Sequence, residues 1–178
     1  MLILRMSVDN KVFGGSNVSC DVNESAVYLT GSNFSVVYDG NNQGGRKTTA
    51  NLDIISSTII DVFGGGRNNA PSGICSLVIN SEIITNAYSG GKDAGLTTCD
   101  VYIYDGTITN VFRVSNTSGN ITTSNITFGN NQNSNIQIGT LYGWNNLGSG
   151  TTTTTNITTY KGNIFIFIKS LIVYKDYI

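Results

Sequence analysis

The side chains able to do chemistry in this 178-residue chain are three cysteines, eleven carboxylates and ten lysines or arginines, with no histidine. That removes the commonest general base and the commonest metal ligand together. Cys20, Cys75 and Cys99 contain no CxxC pair and offer no zinc-type ligand set. Among the acids, Asp53 and Asp61 fall within apolar-alternating segments but have no second acid beside them, whereas glycan-cleaving sites concentrate carboxylates. Arg46, Lys47, Arg67, Lys92 and Asp93 follow glycine clusters and are expected to be solvated loop charges. The runs Gly44-Gly45, Gly64-Gly65-Gly66 and Gly90-Gly91 lack the helix and Lys-Ser/Thr that a phosphate cradle needs. They are expected to be corners with positive φ. No catalytic residue, cofactor site or metal site emerges, and the expectation is that the chain is not an enzyme.

What must position these residues is a repeat. Phe13, Tyr38, Phe63, Tyr88 and Phe112 recur at intervals of 25, 25, 25 and 24, each preceded by Val or Ala and all but Phe112 followed within two residues by glycine. Eleven residues before each aromatic stand Leu2, Val27, Leu52, Leu77 and Val101, with Leu4, Leu29, Ile54, Ile79 and Ile103 two positions on. Alternating apolar positions mean strands with one buried face. A column of small residues (Ser25, Ala50, Cys75, Cys99, Ser124) suits a tight inward corner, so Cys75 and Cys99 are expected as small core residues, although a disulfide between adjacent laps is geometrically open. Asn86, Asn110 and Asn135 suggest an amide ladder. Lap starts near 2, 27, 52, 77, 101, 126 and 157 give about seven laps. The six-residue excess of the last step is expected in the loop 141–155.

A period near 25 with two strands and no 3.6-residue periodicity predicts an all-β, right-handed parallel β-helix over 1–163, with 164–178 as a C-terminal cap or oligomerisation strand. The lap pattern, apolar-x-apolar, turn, then apolar-x-x-Val-aromatic-Gly-Gly, resembles the β-helices of phage fibre and spike proteins and of bacterial surface adhesins. That resemblance concerns architecture and implies little about chemistry.

The composition narrows the partners. Charged residues make up 12% and the net charge is −1, which gives no field for nucleic acid. The longest apolar run, Ile164–Ile168, is too short to span a bilayer, so no membrane insertion is expected. "MLILRMSVDN" is too short for a secretory signal, so the chain is expected either to act without export or to lack an upstream part. Threonines form no columns of pairs, and Thr151–Thr155 are expected in one loop, which argues against an ice-binding face. Outward Tyr28, Tyr102 and Tyr104, with Tyr142 and Trp144 in the inserted loop, are the candidate contacts for glycan or protein.

The first lap starts at Leu2 and is expected to leave its core uncovered, and the tail "NIFIFIKSLIVYKDYI" carries two apolar clusters. Leu2, Leu4, Phe165, Phe167, Leu171, Val173 and Tyr174 are therefore expected to contact other copies. The reading is a structural subunit of a virion fibre or decoration, a homo-oligomer (a trimer fits) that meets other virion proteins and host-surface carbohydrate or protein. An extracellular adhesin fragment of a bacterial cell surface is the alternative, and a polysaccharide-cleaving β-helix enzyme stands behind both.

Overall fold

The computed structural model describes residues 2–4, 11–68, 72–80, 82–130, 134–143, 146–148, 150–160 and 163–170. It is an all-β parallel solenoid, with no helix among the described residues. Strands alternate between two sheets. Sheet 1 stacks β1 (Leu2–Leu4), β3 (Val22–Thr30), β5 (Lys47–Ile55), β7 (Ser72–Asn80), β9 (Leu96–Ile103), β11 (Ile121–Phe128) and β13 (Thr152–Thr159) in that order. Sheet 2 stacks β2 (Lys11–Phe13), β4 (Asn33–Tyr38), β6 (Thr58–Phe63), β8 (Glu82–Tyr88), β10 (Gly106–Phe112), β12 (Asn135–Tyr142) and β14 (Asn163–Ser170). Every pairing is parallel.

Register follows the apolar period. Leu2, Val27, Leu52, Leu77, Val101, Ile126 and Ile157 are successive partners along sheet 1. A one-residue slip would turn the buried members, Val27, Leu52, Leu77, Val101 and Ile126, to solvent, which is why the pattern fixes the pairing. Leu29, Leu52, Ile54, Leu77 and Ile79 from sheet 1 meet Val37, Ile59, Val62 and Ile84 from sheet 2 in one fully buried core. The small column Ser25, Ala50, Cys75, Cys99, Ser124 is also in register, and Cys75 is disulfide-bonded to Cys99 rather than free. The solenoid amounts to about four turns rather than the seven expected, although each sheet stacks seven strands. The outer laps depart from the regular coil: β1 and β2 have three residues each, and the step from Ile126 to Ile157 is 31 residues.

Three local expectations are corrected. Val101 pairs with Ile126, a step of 25, but Gly106 pairs with Ile136, a step of 30. Five of the six extra residues therefore lie at the passage from β11 to β12, in an Asn-rich polar stretch, and not in 141–155. Thr152–Thr155 are strand β13, as β-branched residues favour. The same displacement takes Asn135 out of the amide ladder: Asn110 has Thr140 as its partner, and Asn135 pairs with Asn163.

The ladder that does form starts on a carboxylate. Asn86 Nδ2 donates to Asp61 Oδ1 at 2.8 Å, and Asn110 Nδ2 donates to Asn86 Oδ1 at 2.8 Å. A second series on sheet 1 repeats the arrangement, Asn125 to Asp100 at 2.6 Å and Asn156 to Asn125 at 2.8 Å. A third, in the corner loops, runs from Asn42 to Asn17 at 2.7 Å and from Arg67 to Asn42 at 3.2 Å. In each, the later lap donates to the oxygen of the earlier one.

Most glycine corners have a different cause from the one expected. Of the three runs, only Gly45 has a left-handed φ, at 74°. Gly64 is required by close approach: a Cβ there would lie 2.7 Å from both Cys75 Sγ and Cys99 Sγ. Left-handed backbone is found instead at the sheet-to-sheet turn, where Gly31 (φ 62°) and Ser56 (φ 53°) follow the paired residues Thr30 and Ile55.

Candidate functional site

The repeated aromatics form one file. Phe13, Tyr38, Phe63, Tyr88, Phe112 and Tyr142 stack with ring centroids 4.5 to 5.0 Å apart and planes within 9° of parallel. Strand spacing is about 4.8 Å, so in-register parallel pairing brings the rings to this separation directly. The rings alternate along their strands with the inward valines and make a cluster separate from the main core. Each ring covers its neighbours' faces, and burial pushes the Tyr38 and Tyr88 hydroxyls up to about 12. Tyr88 Oη accepts a hydrogen bond from Asn146 Nδ2 at 3.3 Å. Tyr142, expected in an exposed loop, ends this file in β12, while Trp144 lies outside the described residues.

The outer face of sheet 1 is different. Alternation puts Asp100, Tyr102 and Tyr104 outward on one lap; Asn125, Thr127 and Gly129 on the next; and Asn156, Thr158 and Tyr160 on the next. Tyr102 and Tyr104 have ring centroids 5.9 Å apart with planes tilted by 36°. Tyr160, which the sequence reading passed over, joins them from two laps away: its backbone N–H bonds to Phe128 O, as that of Gly129 does to Ile103 O. It is 45% exposed and close enough to add to the upward push on the Tyr102 hydroxyl, which desolvation dominates. The missed signal was its column, Tyr104-Gly129-Tyr160. Tyr28 also points outward, 38% exposed, but several laps away in a column with Asp53 and Val78. The patch is an amphipathic surface whose carboxylate, Asp100, itself accepts from Asn125.

Of the expected assembly residues, Leu2 and Leu4 lie in β1 at one edge of sheet 1, and Phe165 and Phe167 in β14 at one edge of sheet 2. Leu171, Val173 and Tyr174 lie outside the described residues. Asn163–Ser170 pairs in parallel with β12, so much of the expected cap segment continues the sheet.

The unexpected chemistry is inside. Lys47, expected in a solvated loop, begins β5 and is fully buried, as is Asp39 at the end of β4's lap. Lys47 Nζ donates to the backbone carbonyl of Asp39 and lies 3.5 Å from Asp39 Oδ1. Asp39 Oδ2 is buried without a hydrogen-bond partner among the described residues. Burial pushes the Asp39 carboxyl up to about 7 against the opposing pull of Lys47, and pushes the Lys47 amine down against the opposing pull of Asp39. Both shifts favour uncharged forms. The columns held the clue: Lys47 is in register with Val22 and Ser72, and Asp39 follows Tyr38 where Gly14 and Gly64 follow Phe13 and Phe63. A Cβ at Gly14 would lie 3.0 Å from Nζ, so that glycine leaves the space the amine occupies.

Among the described residues no three His, Cys, Asp or Glu side chains are placed to share a metal ion. No protein-family model matches the chain, and neither the curated proteins nor the solved structures include a significant match.

Proposed function

We propose that this chain is a non-enzymatic structural subunit of a virion fibre or decoration, which assembles with copies of itself and touches host-surface glycans or proteins through its outward tyrosines. The observation that carries this reading is where the distinctive side chains are spent. The six-ring file and three amide series join lap to lap along the coil, which is a design for a stiff rod. The patch around Tyr102, Tyr104, Thr127 and Tyr160 supports the contact role, since tyrosines with neighbouring hydroxyls and amides suit wet interfaces with uncharged polyols. Strand β13 supports assembly: among the described residues it has a partner on one side only, and Asn156–Tyr160 are exposed. Such an edge accepts another strand.

Light scattering on purified protein over a wide concentration range tests the assembly. A discrete oligomer is expected, and a monomer at every concentration would refute it. The second reading is a bacterial cell-surface adhesin, which the Cys75–Cys99 bond suits as it suits a virion surface, because disulfides persist outside the reducing cytosol. Capsid and tail genes beside the coding sequence would support the virion, and export or anchoring genes the adhesin.

A further inference from the structure

We propose that Lys47 and Asp39 form a self-condensation site, in which the lysine side chain closes on the aspartate side chain as an intramolecular amide and expels water. The two groups are held together with no solvent access to either, Nζ being 3.5 Å from Oδ1. The Asp39 carbonyl that accepts from Nζ fixes the amine in place, and the neighbouring laps present only Gly14 and Gly64 at the Asp39 position. Groups fixed at such range react as if at enormous effective concentration. Burial also raises the carboxyl to about 7 and lowers the amine, which favours the two species that condense, a free amine and an un-ionised acid.

The step balances without any co-reactant. The Nζ lone pair attacks Cγ of Asp39, and the Nζ–Cγ bond forms. The bond from Cγ to its hydroxyl oxygen breaks. One hydrogen comes from the carboxyl and one from the amine, and they leave with that oxygen as water. Oδ2, which no described residue holds, is the natural carrier of the departing hydroxyl. The product ties the end of β4 to the start of β5 and closes residues 40–46 into a covalent ring at the corner between the two sheets.

Intact mass measurement of the denatured, reduced chain tests this, whatever its oligomeric state. The expected result is a mass lower than the sequence mass by one water, with the tryptic peptides 12–46 and 47–67 recovered as one branched species. Full mass, with trypsin cutting after Lys47 to give 48–67 separate from 12–46, would overturn the proposal. A Lys47→Met chain should regain the full mass. Water loss that persists in it would point to a succinimide at Asp39-Gly40 and would also overturn the proposal. Should Lys47→Met fail to fold, fragmentation of the wild-type branched peptide still identifies the bond.

Discussion

The outer faces of the two sheets share one rung spacing and put it to opposite uses. On sheet 2 the column from Phe13 to Tyr142 is aromatic on every lap, and its central four rings are buried. On sheet 1 the column reads Tyr28, Asp53, Val78, Tyr102, Thr127, Thr158, all partly or fully exposed. Parallel in-register pairing sets like positions about 4.8 Å apart on both faces. Uniform columns therefore profit from stacking where they are shielded, and mixed columns are tolerated where solvent meets them. The difference separates a spine from a contact surface.

The largest test of that division is Phe63→Ala, which removes a buried ring with neighbours on both faces and should cost about 3–5 kcal/mol in thermal or denaturant unfolding. A loss no larger than that of an exposed residue would abolish the distinction. Next comes Asn86→Asp, which sets a carboxylate against Asp61 and should cost about 1–3 kcal/mol. Adding Asp61→Asn should recover most of the loss, because the new asparagine donates where the old aspartate could only accept.

Alkaline titration sharpens the comparison. The Tyr38 and Tyr88 hydroxyls are higher in the fold, at about 12, than their ordinary value of 10.0. Their stabilising contribution is complete below pH 10 and is lost as pH rises through about 12. The double variant Tyr38→Phe, Tyr88→Phe should unfold less steeply than wild type across that window when followed by circular dichroism. Smallest in stability is the pair Tyr102→Ala and Tyr160→Ala, each expected within about 0.5 kcal/mol of wild type. Yet each should weaken retention on immobilised neutral glycan, and unchanged retention would remove the contact role from this face.

Much of this was legible in the sequence, because apolar positions repeated at a fixed interval dictate register directly. The lap starts, the small column and the ring file follow from that alone. Lys47 was obscured because its charge, and the glycines before it, suggested a solvated loop, and Asp39 was not singled out; their columns, not their residue types, marked them as inward. Tyr142 and Asn135 were misplaced for one reason: the extra residues were assigned to 141–155, whereas the strand register puts five of them between β11 and β12. Tyr160 was passed over although its lap start, Ile157, was placed correctly, because Gly129 interrupts the column between it and Tyr104.

The three amide series also give the coil a grammar for growth. A carboxylate can stand only at the head of a series and an arginine only at its foot, since one has no hydrogen to offer and the other no lone pair to receive. Between them, any lap that brings one asparagine can be duplicated or deleted without leaving a broken link. Lengthening this rod by internal duplication would therefore be tolerated at the laps of Asn86 and Asn125, and resisted at those of Asp61, Asp100 and Arg67.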